Sequence, residues 1–104
     1  MLFQVKLHNK DQIFKEDFLS IILDMETSFP EWNFKDMNGL STVPDSLHYH
    51  ISSKDKDTTG TLEITFDPAL KNVIELKIAK NRLSDWSMKA LDEVVKFLEN
   101  YTSD

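Results

Sequence analysis

Two of the three histidines stand two residues apart, with Tyr49 between His48 and His50. Residues i and i+2 of a strand point to the same side, so two imidazoles at this spacing could share one metal ion. Glu63 or Glu75, each on another predicted strand, would supply a third ligand, although the sequence alone does not fix the register. The alternative is two solvent-facing histidines without a metal, because a histidine pair has low specificity as a metal motif.

Catalytic patterns around these histidines are incomplete. Residues 50–52, His-Ile-Ser, match the histidine, hydrophobic, Ser/Thr signature of the two-histidine phosphoesterases, in which paired imidazoles act as general acid and base. That chemistry requires two copies, and the residues that follow His8 do not provide the second. A ribonuclease using His48, His50 and Lys77 is conceivable from residue types, but the charge of the chain opposes a polyanionic substrate. We therefore expect neither an enzyme nor a cofactor, and a small hydrolase or metal site on His48 and His50 stays as an alternative.

The charge of the chain restricts its partners. The 104 residues include 12 basic and 18 acidic side chains, which give a formal net charge of −6. This charge repels phosphate backbones and anionic lipids at long range, so neither a nucleic acid nor a membrane is the expected partner. The absence of cysteine excludes disulfides and zinc sites built from thiolates. Since the first residues lack both a basic leader and a long apolar stretch, we expect a cytoplasmic protein.

The hydrophobic pattern predicts a single domain over residues 1–104, beginning with a strand and a helix. Residues 2–8 alternate between apolar and polar, as a half-buried strand does. Apolar residues then recur at spacings of three and four over residues 14–29, and Leu23 widens this stripe. The pattern predicts an amphipathic helix that ends at Pro30.

Residues 30–45 are the hardest to assign. Trp32 and Phe34 alternate with polar residues like a short strand, while residues 38 and 39, Asn-Gly, indicate a turn. We interpret this segment as an ordered connection that its two aromatic residues hold against the core, because a long structureless loop is uncommon in a small domain.

Three more strands and a second helix complete the pattern. The strands are predicted over residues 47–52, 61–66 and 73–78, with polar turns short enough for an antiparallel meander. Ser84 is a suitable N-cap for a helix that runs to about Asn100. The order β-α-β-β-β-α predicts an α+β two-layer sandwich, with two helices on one face of a mainly antiparallel four-stranded sheet. The opposite sheet face, which carries the histidine pair, would then be polar and open to solvent.

This order of elements resembles that of two RNA-related families. From the first helix onward it is similar to the double-stranded RNA-binding domain, and the whole order resembles that of ribosome-associated hibernation factors. The resemblance is one of topology, and it implies an RNA- or ribosome-associated domain as an alternative function. Those families carry lysines at the start of the last helix, where residues 84–86 are Ser-Asp-Trp in this chain. The basic residues of this region precede the helix, and we interpret them as a solvated strand edge: Lys71, Lys77, Lys80 and Arg82.

Trp86 and Phe97 lie off the main apolar stripe of the second helix, and with Ala90 they form a second line at helical spacing. If the main stripe already fills the core, this line is exposed and would anchor another protein, since aromatic anchors dominate interface energetics. The alternative is that both aromatic residues pack against residues 30–45.

An acidic domain without cysteine or a complete catalytic motif is best interpreted as a protein-binding domain. The function that we expect is that of an inhibitor or immunity-type protein, which neutralises a basic partner such as a toxin or a nuclease. The oligomeric state is left open. The predicted partner-binding residues are His48, His50, Glu63, Glu75, Trp86 and Phe97.

Overall fold

A computed structural model describes residues 1–8, 10–37 and 45–101 of the chain. In these ranges, five strands and two helices follow one another in the order β-α-β-β-β-β-α, with a 3₁₀ turn before the last helix. The elements are β1 (Leu2–Lys6), α1 (Lys15–Ser28), β2 (Trp32–Asp36), β3 (Leu47–Ser53), β4 (Leu62–Phe66), β5 (Val73–Lys77), the 3₁₀ turn (Lys80–Arg82) and α2 (Asp85–Glu99).

The five strands form one antiparallel sheet in the order β1-β5-β4-β3-β2. Its centre is the predicted meander of β3, β4 and β5, in which Tyr49 lies opposite Ile64 and Ile64 opposite Leu76. The first strand joins the far side of this meander, where Val5 pairs with Ile74. Alternation along the strands therefore turns one face toward the helices and leaves the other face polar.

The number of strands differs from the prediction, because residues 32–36 form a fifth strand. This strand pairs with the edge of β3, and Phe34 lies opposite Ile51. The interpretation of residues 30–45 as a connection was wrong for this part. Two inward aromatic residues are too few to distinguish a strand from a loop by alternation alone, and the hydrogen bonds to β3 are not visible in the sequence. The predicted turn at residues 38 and 39 lies outside the described residues.

Both helices pack on the same face of the sheet, which confirms the two-layer α+β architecture. Phe18 of α1 stacks on Phe66 at a ring-centroid distance of 5.8 Å and also contacts Tyr49. Val94 and Leu98 of α2 are buried in the same hydrophobic core. Neither helix of the described chain combines the length and hydrophobicity that a bilayer crossing requires.

Two apolar residues of the predicted helical stripe are exposed. Phe14 is 57% exposed because it is the N-cap that precedes α1, and Leu23 is 64% exposed because it lies on the outer face of the helix. The residues that α1 does bury fall on one line at helical spacing, and they are Phe18, Ile21, Ile22 and Met25. The apolar stripe is thus narrower than the sequence suggests.

The start of α2 is tied to the end of the loop that enters β4. Ser84, the predicted N-cap, accepts the Ser87 backbone N–H at 3.0 Å and donates its own hydroxyl to the Thr59 carbonyl at 2.8 Å. The buried Ser87 hydroxyl accepts the Ser84 N–H at 2.8 Å, which completes a reciprocal cap. Gly60 has φ +118° and lies against the Ser84 side chain, where a Cβ would have no space. The chain before α2 is therefore held against β4.

Candidate metal centre

Three potential metal ligands converge on the open face of the sheet. His48 Nε2 lies 3.1 Å from His50 Nε2, and Glu63 Oε1 lies 3.2 Å from the first and 3.6 Å from the second. We call these three residues the His-Glu cluster; among the described residues it is the group whose nitrogen and oxygen atoms lie close enough together to share an ion. The structure thus brings together His48, His50 and Glu63, which is one of the two carboxylates that the sequence offered as a third ligand.

The pairing of β3 with β4 positions the His-Glu cluster. His50 lies directly opposite Glu63, and His48 lies opposite Thr65. Residues directly opposite each other in an antiparallel pair point to the same face, and residues two apart on one strand do so as well. The neighbouring residues Leu47 and Ile51 are buried under the helices, so the cluster faces away from the core.

The separations within the cluster match those of a tetrahedral metal site. Zn²⁺ binds imidazole nitrogen and carboxylate oxygen at about 2.0–2.1 Å, which places neighbouring ligand atoms about 3.3 Å apart in a tetrahedron. The three observed separations lie on both sides of this value. A circle through the three atoms has a radius of about 1.9 Å, so an ion slightly above their plane would reach all three at normal bond lengths.

A second layer of contacts orients one of the imidazoles. His48 Nδ1 lies 2.7 Å from Thr65 Oγ1, on the ring edge opposite the cluster. Metal-ligating histidines commonly donate their other ring N–H to an oxygen, which fixes the tautomer and leaves the ligating nitrogen with its lone pair. With Nδ1 as the donor to Thr65, His48 would present the lone pair of its Nε2 to a cation at the cluster.

The electrostatic surroundings favour a neutral imidazole at His50. Burial lowers the pKa of His50 below its ordinary value, Glu63 opposes that shift, and His48, Arg82 and Lys35 add to it. The side chains of the cluster are only partly accessible, at 25% for His48, 28% for His50 and 16% for Glu63. Neutral imidazole is the form in which histidine binds metal.

Three cations surround the His-Glu cluster. Lys35 of β2 lies opposite His50, and Lys77 of β5 lies opposite Glu63, so one row across the sheet reads Lys-His-Glu-Lys. Arg82, from the 3₁₀ turn, donates from Nη1 to Thr61 Oγ1 at 3.1 Å and acts on His50 electrostatically. The open face therefore has a cationic centre in a protein whose net charge is −6.

Glu75, the other carboxylate considered as a ligand, is not part of the cluster. It lies opposite Thr65 on one side and Gln4 on the other, and it accepts a hydrogen bond from Gln4 Nε2 at 3.1 Å. The structure thus selects Glu63 from the two alternatives that the sequence left open.

Trp86 and Phe97 lie on the other layer of the molecule, in an aromatic cluster. Trp86 meets Trp32 edge to face at 5.6 Å, Phe97 meets Phe29 at 5.9 Å, and Phe29 stacks on Trp32 at 4.0 Å. Both residues are half-buried, which corresponds to the alternative that they pack against the segment around residues 30–45. Their role in binding a partner stays a prediction.

Sequence reasoning missed Thr65, Lys35 and Arg82 as members of the site. Each is an ordinary polar residue in the sequence, and only the strand register and the 3₁₀ turn bring them to the histidines. The alternation of β4 does place Thr65 and Glu63 on one face, so this part could have been found from the sequence once His50 was paired with Glu63.

No protein-family model, no curated protein and no solved structure matches this chain. The topological resemblance to the double-stranded RNA-binding domain rested on three strands between the helices, whereas the structure has four. The geometry of the chain itself is therefore the basis for assigning a function.

Proposed function

We propose that this protein binds a divalent transition-metal ion, with zinc the best match, through His48, His50 and Glu63. The observation that carries this proposal is the convergence of two imidazole nitrogens and one carboxylate oxygen within 3.6 Å of one another on the open sheet face. Two histidines and a glutamate are a ligand set that zinc uses in catalytic sites.

Three protein ligands leave at least one coordination position open. In structural zinc sites the protein fills all four positions, whereas in sites that act on other molecules the fourth holds water or a ligand. The cluster faces solvent, and the opposed Thr65 supports His48 from behind. When bound, such a metal lowers the pKa of its water toward about 7, which supplies a hydroxide near neutral pH.

The test is a titration of the purified protein with Zn²⁺ by isothermal calorimetry, together with the visible spectrum of the Co²⁺ form. We expect one ion per chain and the absorption of four- or five-coordinate Co²⁺. His48→Ala, His50→Ala and Glu63→Gln should each weaken binding at least about tenfold, because each removes one ligand. His8→Ala is the matched control, since His8 is exposed and lies outside the cluster.

Equal Zn²⁺ affinity in wild type and in the His48→Ala/His50→Ala double variant would exclude this function. Because the three side chains lie on the open face, the variants should keep the circular dichroism spectrum and the cooperative unfolding of the wild type. A loss of binding with unchanged folding is therefore attributable to the ligands.

A basic protein partner is the second candidate function, in the form of an inhibitor or immunity-type protein. The observation that favours it is the segregation of charge between the layers. The sequence of α1 has four acidic residues and one basic residue, and that of α2 has four acidic and two basic, so the helices carry −5 of the net −6. Such a surface steers a basic partner toward the helical layer rather than the sheet face.

This second candidate is tested by affinity capture with a charge-reversed control. The helical variant combines Asp24→Lys with Glu93→Lys and so reverses two charges of the helical layer. The control, Lys35→Glu, reverses one charge of the sheet face. We expect a basic protein that the wild type retains to be lost with the helical variant and kept with Lys35→Glu. Equal retention by the wild type and the helical variant would contradict the candidate.

A further inference from the structure

We infer that the metal at the His-Glu cluster receives a phosphate group, which Lys35, Lys77 and Arg82 hold from three sides. This inference rests on the proposed metal binding and names the class of ligand that completes the site. It is motivated by the three cations around the cluster, which the metal proposal does not use.

These three cations lack close ion pairs in the part of the chain that the structure describes, although Lys77 lies opposite Glu63. Lys35, Lys77 and Arg82 form no ion pair with any carboxylate in residues 1–8, 10–37 and 45–101. Arg82 uses one guanidinium nitrogen on Thr61, and a guanidinium group has further N–H donors that can bind an anion. Unpaired cations that share a face with a metal ion favour an anionic ligand.

The amount of charge matches a phosphate group better than a carboxylate. A divalent ion together with three side-chain cations gives five positive charges, and the cluster contributes the single negative charge of Glu63. Glu75, in the next row, adds a second negative charge to this face, so the positive charge still exceeds the negative charge by three. A dianion with several oxygens can bind the metal and the surrounding donors together, because phosphate offers acceptors in three directions while a carboxylate lies in one plane.

The remaining charge of the molecule limits the size of the ligand. The helices carry most of the negative charge, and electrostatic repulsion extends over a Debye length of about 8 Å at physiological ionic strength. A small phosphate or phosphate ester contacts only the cationic centre of the sheet face. A long polyanion also extends over the acidic parts of the surface, so nucleic acid is disfavoured.

The experiment follows the visible spectrum of the Co²⁺-loaded protein during titration with inorganic phosphate and with phenyl phosphate. We expect both anions to change the spectrum, because an oxygen of the phosphate enters the metal coordination shell. Tighter binding of phenyl phosphate identifies an ester as the preferred form, and tighter binding of inorganic phosphate identifies the free anion. Arg82→Gln, Lys35→Gln and Lys77→Gln should each weaken phosphate binding about fivefold or more, as expected for loss of a charge-assisted hydrogen bond.

Lys89→Gln is the matched control, since Lys89 is an exposed cation of α2 on the other layer, and it should leave phosphate affinity within about twofold of the wild type. If the protein binds Co²⁺ but phosphate does not change the visible spectrum of the Co²⁺ form, this inference is wrong and the proposed function still stands. Failure to bind Co²⁺ and Zn²⁺ overturns the proposed function itself. Tighter binding of a ten-nucleotide RNA than of inorganic phosphate also overturns the assignment to a small anion.

Discussion

His50 lies directly opposite Glu63 in the pairing of β3 with β4, and this one register places a carboxylate oxygen beside two imidazoles. A slip of one residue would turn Glu63 into the core and Leu62 or Ile64 outward. Both of these apolar residues are fully buried. The hydrophobic pattern of β4 thus maintains the register that builds the metal centre.

Thr65 is expected to tune the metal affinity without being a ligand. Thr65→Val removes the oxygen that His48 Nδ1 contacts at 2.7 Å and keeps the shape of the side chain. Loss of such an outer contact typically lowers metal affinity about 10- to 100-fold. Zinc calorimetry measures the effect, with Thr27→Val on α1 as the matched control. Unchanged affinity in Thr65→Val would show that His48 is oriented by other contacts.

Gly60 is expected to tolerate no side chain. Gly60→Ala places a Cβ against the Ser84 hydroxyl at a residue with φ +118°, a region that favours glycine. The variant should lose about 2–3 kcal/mol of unfolding free energy from strain and displacement of the helix cap. Urea unfolding followed by tryptophan fluorescence measures this loss. A variant as stable as the wild type would mean that the loop can move away from Ser84 at no cost.

Ser84 is expected to stabilise α2 and the preceding loop together. Ser84→Ala removes the acceptor for the Ser87 N–H and the donor to the Thr59 carbonyl. Loss of an N-cap costs about 1 kcal/mol, and the lost bond to the loop adds a similar amount. Ser84→Asp restores the cap acceptor but not the donor, so its stability should fall between those of Ser84→Ala and the wild type. Equal stability of all three proteins in thermal unfolding would disprove the double role.

The stability contributed by Asp17 is expected to vanish in acid. Its side chain accepts the Phe14 N–H at 2.7 Å and pairs with Lys10 at 2.9 Å, and these contacts, the backbone hydrogen bond first, hold the pKa of Asp17 below its ordinary value. A depressed pKa stabilises the fold above the unfolded value of about 4, and this contribution disappears as the pH falls through the folded value. Asp17→Asn should be less stable than the wild type by about 1 kcal/mol at pH 7 and equal to it in strong acid. A stability difference that does not change between pH 7 and pH 2 would contradict this account.

Tyr101 is expected to ionise late in an alkaline titration. Burial, followed by the hydrogen bond from its hydroxyl to Asp24 at 2.9 Å, raises the pKa of Tyr101 to about 12. Because the folded value is raised, the phenol stabilises the fold fully below about pH 10, and this contribution is lost as the pH rises through about 12. Tyrosinate absorbance should show this late transition, and Asp24→Asn should shift it to lower pH. The transition should be missing from Tyr101→Phe, and its persistence there would assign it to Tyr49.

The sequence predicted the parts of the fold that depend on local pattern. Alternation located β3, β4 and β5, spacing of three and four located both helices, and Ser84 identified the start of α2. The strand β2 was missed because its evidence is the pairing with β3, which is not a local property. Leu23 is exposed for a similar reason. The spacing of apolar residues predicts the helix, but it does not show how much of the helix surface the sheet covers.

The candidate site was predicted in part for the same reason. The histidine pair follows from the period of a strand, but the choice of Glu63 over Glu75 requires the register. Lys35 and Arg82 come from segments that the sequence assigned to a connection and to a solvated edge. The residue types show which side chains can bind a metal or an anion. They do not show which of these side chains lie close together in the fold.

The pairing of β1 with β5 has a consequence for the order in which the molecule assembles. Gln4 and Glu75 are 71 residues apart, yet they are hydrogen-bonded neighbours. The strand β1 therefore stays without its partner until β5, which lies 71 residues further along the chain, has also been synthesised. The strands β3 and β4, which carry His48, His50 and Glu63, are neighbours in the chain as well as in the sheet, so the metal ligands can find one another before the outer border of the sheet is closed.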